Sequence, residues 1–112
     1  MKTIFCDIDG CLIKHQNVYN NEMQLLDGAI EKIKEWDRKG YRLILTTGRR
    51  ESAREITERN LALIGIAYDQ LIMGLGPNVR VLINDLRDDD SETNTAEAYN
   101  LIRNKGIKNL DI

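Results

Sequence analysis

Two aspartates stand two residues apart, Asp7 and Asp9, directly after the apolar run Ile4-Phe5-Cys6 and just before Gly10. A second apolar run, Leu43-Ile44-Leu45, closes in Thr46-Thr47-Gly48-Arg49. A third, Val81-Leu82-Ile83, follows Arg80 and closes in Asn84-Asp85, with Asp88, Asp89 and Asp90 after it. An acid that terminates an apolar strand is costly unless something partners it. In an open parallel sheet, ligands bind beyond the carboxyl ends of the strands, so the three clusters are expected to converge. Asp7, Asp9, Asp85 and Asp89 gathered in one place repel one another unless a cation neutralises them. Mg²⁺ suits that role, because it takes oxygen ligands and keeps waters that a phosphate can replace. Beside it, one carboxylate can attack phosphorus and a second can move the protons. The Thr47 hydroxyl and the backbone at Gly48 would meet phosphoryl oxygens. The chemistry this predicts is metal-assisted phosphoryl transfer.

Such a site needs elements to carry it. Short apolar runs alternate with amphipathic stretches, which predicts an α/β fold with a mostly parallel sheet. Strands are expected at Thr3 to Asp7, Tyr41 to Thr46, Leu71 to Met73 and Val81 to Ile83. A helix capped by Asp27 should bury Ala29, Ile30, Ile33 and Trp36 and stop at Gly40. Ser52-Ala53-Arg54-Glu55 has the form of a capping box, so a second helix should start there and bury Ala53, Ile56, Leu63 and Ile64. A third helix is expected from about Thr95 to Asn104. Residues 107–112 read as an edge strand or a tail.

Composition sets the bounds. The chain has 112 residues, enough for one domain, and 16 basic against 18 acidic residues give a formal charge of -2. That balance offers no global attraction for nucleic acid or an anionic membrane, and neither is expected as a partner. No apolar run is long enough to span a bilayer, and the N-terminal run is too short for a secretory signal. Cys6 and Cys11 read as reduced thiols of a cytoplasmic protein. His15, the only histidine, reads as an exposed loop residue. Arg49 and Arg50 divide evenly between phosphate contact and surface charge.

Asp7-Ile8-Asp9-Gly10 resembles the first motif of the haloacid dehalogenase-like (HAD) superfamily. Leu43 to Thr47 resembles the second motif, and Val81 to Asp85 with Asp89 the fourth. The resemblance covers nearly the whole chain and implies a three-layer Rossmannoid domain, residues 1–112, with no cap domain. It implies Asp7 as nucleophile and Mg²⁺ ligand, and Asp9 as general acid/base that lends its carbonyl to the metal. Thr47, with Thr46 as second choice, and Gly48 would bind the phosphoryl group. Asp85 and Asp89 would complete the metal site. The third motif usually supplies a lysine, and none occurs between Lys39 and Lys105, so Arg80 is expected in its place. Cys11 stands where threonine is usual.

The implied activity is Mg²⁺-dependent hydrolysis of a phosphorylated small metabolite through an aspartyl-phosphate. Similarity to small proteins of surface-polysaccharide synthesis inclines the substrate towards a sugar phosphate. Capless relatives either act on large substrates or close their sites with a neighbouring subunit, so the resemblance leaves open a homo-oligomer that closes the site. The missing lysine and Cys11 motivate an alternative, a phosphate- and Mg²⁺-binding module of weak or no turnover that serves as a partner subunit. A response-regulator receiver fits less well, because its phosphorylated Asp ends the third strand, where this chain has Met73-Gly74.

Overall fold

A computed structural model describes residues 1–16, 22–86 and 94–112. It is an α/β structure with a parallel sheet, as expected. Strand β1 (Thr3–Asp7) leads to helix α1 (Ala29–Arg38), strand β2 (Arg42–Thr46), a single 3₁₀ turn (Glu51–Ala53), helix α2 (Arg54–Leu63) and strand β3 (Gln70–Ile72). The strand order is β1-β2-β3 with both pairings parallel. β2 is therefore central, and among the described residues β1 keeps one edge free of strand pairing.

The register fixes what faces the core. Ile4 lies opposite Leu43, and Cys6 opposite Leu45, which in turn lies opposite Leu71. These side chains alternate onto one face and pack with Ile33 and Trp36 of α1 and Leu61 of α2. The other face carries Phe5, Ile44 and Ile72, and there Phe5 is 56% exposed. Helix α1 forms where its spacing predicts and buries Ala29, Ile33 and Trp36. Its N-cap, however, is Gly28 rather than Asp27, with φ 82 and no side-chain cap. The glycine is required twice over, since a Cβ there would stand 2.4 Å from the Cα of Lys108. Asp27 instead offers its carbonyl to the Ile107 N–H at 3.0 Å, which docks the C-terminal tail.

The Ser52 capping box does not form. No side chain caps α2, and Glu51 binds Arg54 instead. The buried face of α2 is Thr57, Asn60 and Leu61, whereas Leu63 is exposed. The fourth strand and the third helix are also absent from the described residues. Val79, Val81 and Ile83 are 90%, 80% and 88% exposed, and Tyr99 and Ile102 also face solvent. A ten-residue helix is marginal without a packed face, and a fourth strand laid along β1 with Asp85 level with Asp7 would crowd three carboxylates together. The radius of gyration of 14.7 Å exceeds the value of about 13 Å for a compact domain of this length. No described helix is long and apolar enough to cross a membrane.

Cys6 is buried in β1, and burial first, then Cys11 and Asp7, push its thiol up to about 12. It is therefore a neutral, poorly reactive thiol at neutral pH. Iodoacetamide is expected to spare Cys6 in the native chain and label it on unfolding, as peptide mass spectrometry would read. The sign of the linkage follows: this stabilising term is intact below the ordinary value of 9.0 and is lost as pH rises towards about 12.

Candidate active site

The carboxyl ends of β1 and β2 bring Asp7 and Asp9 to Thr47, Gly48 and Arg49. After β1 the chain turns tightly, with the N–H groups of Cys11, Leu12 and Ile13 all directed at the Ile8 carbonyl. Ile8, Leu12 and Ile13 are fully buried, which anchors the turn and holds Asp9 towards β2. After β2, the Thr47 N–H donates to the Ile72 carbonyl at 3.0 Å and the Leu75 N–H to the Thr47 carbonyl at 3.1 Å. The loops after β2 and β3 are thus laced together. Gly48 lies against the second loop so closely that a Cβ would meet the Gly76 carbonyl oxygen at 2.8 Å. Gly48→Ala must force these loops apart, at a cost of about 1–3 kcal/mol, read as a lowered midpoint in urea unfolding.

Asp9 is the most heavily bonded side chain of the site. Arg49 donates to it from Nη2 at 2.8 Å and from Nε at 3.0 and 3.2 Å, and Thr47 Oγ1 donates at 3.1 Å. The Arg49 Nη1 reaches Thr57 Oγ1 at 3.2 Å. The pair is largely buried, with side chains 6% exposed for Arg49 and 16% for Asp9. Thr47 Oγ1 also accepts the Arg49 backbone N–H, so its hydroxyl is engaged on both sides. In this arrangement Thr47 positions Asp9 and Arg49 rather than facing an incoming phosphoryl group. Arg49 is thus a site residue, which its sequence position left evenly divided. Thr57 was not foreseen, although it lies four residues from both Ala53 and Leu61, on the buried face of α2.

Asp7 is more open. Burial first, and Asp9 after it, push its carboxyl above the ordinary carboxylate range, while Arg80 and the Ile8 N–H pull the other way. Arg80 stands with Nη2 4.0 Å from Asp7 Oδ1, both side chains being about two-fifths exposed. Arg80, expected in the place of the missing lysine, thus meets Asp7 only in a loose contact. Asp85 is placed differently from the expectation. It is exposed, its carbonyl accepts the Thr95 hydroxyl, and Asn84 Nδ2 donates to the Thr95 carbonyl at 3.2 Å. Asp89 lies outside the described residues. Among the described residues, no three His, Cys, Asp or Glu side chains gather to hold a metal ion. The residues as placed do not fit Mg²⁺: two arginines, not oxygen donors, stand beside the two acids.

The family model for the LNS2 domain of PITM 1-3 matches residues 4–107. The chain belongs to the LNS2-domain family. An LNS2 domain is itself HAD-like and of phosphatase type, so the superfamily read from the sequence holds at the level of fold. No curated protein sequence matches. Among solved structures, a chain of the Pnkp1/Rnl/Hen1 complex is 32% identical, with a TM-score of 0.58 over 71% of this chain and 30% of that one. A chain of the Pnkp1/Rnl/Hen1 RNA repair complex is 31% identical, with a TM-score of 0.56 over 80% of this chain and 28% of that one. A structural-genomics target from Vibrio cholerae is 19% identical, with a TM-score of 0.57 over 71% and 80%, a likeness of fold alone. This LNS2 domain therefore spans about 30% of the length of the first of these chains.

Proposed function

We propose that this chain hydrolyses a phosphate monoester through an aspartyl-phosphate on Asp7. The observation that carries the reading is the arrangement at the end of β1, where a half-open Asp7 stands beside a fully bonded Asp9. A carboxylate oxygen of Asp7 attacks phosphorus, the ester bond breaks, and the alcohol leaves with a proton from Asp9. Asp9 then takes a proton from water, whose oxygen attacks the acyl phosphate and releases phosphate. As placed, Asp9 only accepts hydrogen bonds, which suits the second half of this cycle. To serve the first half, one of its oxygens must be freed from Arg49. The cation beside Asp7 in this arrangement is Arg80, which offsets charge on the phosphoryl oxygens. No step here is assigned to Mg²⁺.

A phosphorylated small metabolite, with a sugar phosphate first, is the substrate class we favour. Among the described residues no inserted domain stands over the site, so selection rests on the loop 74–78 and on a neighbouring copy of the chain. The identity of 32% and 31% to chains of an RNA repair complex favours a second reading, a phosphorylated RNA end, which an uncapped site could admit. Purified protein assayed for phosphate release separates the two. Sugar phosphates, other phosphometabolites and phosphorylated oligonucleotides would be compared, each with and without Mg²⁺. Turnover of the first group at least about tenfold above the oligonucleotides in kcat/KM supports the first reading. No release from any class supports a module without turnover.

A further inference from the structure

The segment from Arg103 to Ile107 crosses the connection between β1 and α1 and holds it at three points. Ile107 is the anchor: its side chain is fully buried in the core, and its N–H donates to the Asp27 carbonyl at 3.0 Å. Gly106 lies so close there that a Cβ would stand 2.4 Å from the same carbonyl oxygen. Asn104 makes the other two ties. Its backbone N–H donates to the Gly10 carbonyl at 2.8 Å, and its Oδ1 accepts the His15 N–H at 2.8 Å. To do so it holds φ at 65, a left-handed conformation that asparagine takes more readily than most residues. The stem of Arg103 covers Gly10, where a Cβ would meet its Cγ at 3.1 Å. Gly10 follows Asp9 directly, and its own N–H donates to the Ile13 carbonyl at 2.8 Å. The peptides on both sides of Gly10 are thus fixed, one from within the turn and one by Asn104.

We infer that Asn104 is a positioning residue for phosphate-ester hydrolysis, tying the turn that carries Asp9 past Asp7 at Gly10 and at His15. This rests on the reading of Asp7 as nucleophile and Asp9 as its acid/base. Arg49 and Thr47 hold the Asp9 carboxyl from the β2 side. When one of its oxygens leaves Arg49 to carry a proton, the backbone of the turn has to keep the carboxyl in line with Asp7. A reacting group displaced by about 1 Å loses up to about 10²-fold in rate. The two bonds of Asn104 go to backbone groups and not to a reacting atom, so its effect falls on kcat rather than on KM.

Asn104→Gly and Asn104→Asp separate this role from a purely structural one. Glycine keeps the positive φ and the N–H to Gly10 but removes the acceptor for His15. Aspartate keeps all three. Turnover of a phosphate ester would be measured well below the Tm of each variant, with amide hydrogen exchange at His15 followed in parallel. In Asn104→Gly the His15 amide should exchange about fivefold faster, the loss of one hydrogen bond. Its kcat should fall about tenfold, with KM within about twofold of the wild type. Asn104→Asp should recover most of both losses. An unchanged kcat in Asn104→Gly, or a His15 amide that exchanges no faster, overturns the inference and leaves the phosphatase reading intact. A rate lost equally in both variants, or lost only in step with a fall in Tm, also overturns it, because a merely structural tie would give that result. A wild type that hydrolyses no phosphate ester overturns the phosphatase reading, and the inference with it.

Discussion

Asp7→Asn is expected to lower kcat for phosphate-ester hydrolysis by about 10⁴-fold or more, the scale on which loss of a covalent nucleophile is felt. An amide oxygen is too poor a nucleophile to form the acyl phosphate, and the neighbouring carboxylate of Asp9 has both oxygens held by Arg49 and Thr47. Stability should move the other way. Burial is the largest influence on Asp7 and disfavours its charged form, so a neutral side chain of the same shape removes that penalty. The sign is that of a carboxyl whose native value is raised. The penalty is absent at pH below the ordinary 3.8 and grows as pH rises through the native value. Above that window, Asp7→Asn should melt at the same temperature as the wild type or slightly higher. An inactive variant that is also strongly destabilised would point to a structural role for Asp7.

Arg49→Ala carries the largest expected effect on stability. It strips three of the four donor contacts from Asp9 and leaves a mostly buried carboxylate with Thr47 alone. Removing one partner of a buried ion pair costs about 3–5 kcal/mol, which for a chain of this size lowers Tm by about 10 °C or more. Arg49→Lys should recover little, since an ammonium cannot hold both oxygens and reach Thr57 as a planar fork does. Adding Asp9→Asn to Arg49→Ala should recover part of the loss, because the orphaned charge goes with it. A Tm for Arg49→Ala within a few degrees of the wild type would show that solvent already supplies what Arg49 donates.

Legibility in the sequence followed the range of the interactions. Strand β1 begins and ends at the expected residues because an apolar run stopped by Asp7 is a local signal, β2 starts one residue later than expected, and β3 is shifted by one residue at both ends. Trp36 and its neighbours on α1 were equally plain from helical spacing. The run from Val81 to Ile83 has strong strand propensity, but pairing along the open edge of β1 would bring Asp85 against two other acids, a long-range charge conflict that local propensity does not register. Ser52 misled because the turn begins before it: residues Glu51–Ala53 already form a 3₁₀ turn that runs into α2, so Ser52 lies inside the helical stretch rather than at its cap. At the site, Asp7 and Asp9 were legible from their place at a strand end. The Arg49 fork was not, because its partners lie 40 and 8 residues away and only the sheet register brings the loops after β1 and β2 together.

The most direct measurement of the central claim is rapid acid quench during turnover of a hydrolysable phosphate ester, followed by peptide mass spectrometry of the segment that contains Asp7. The account predicts one phosphoryl group on Asp7, formed within the first turnover, lost by hydrolysis once the substrate is exhausted, and absent in Asp7→Asn. Phosphate release that proceeds at full rate with no phosphorylated Asp7, or with the phosphoryl group on another residue, would contradict it.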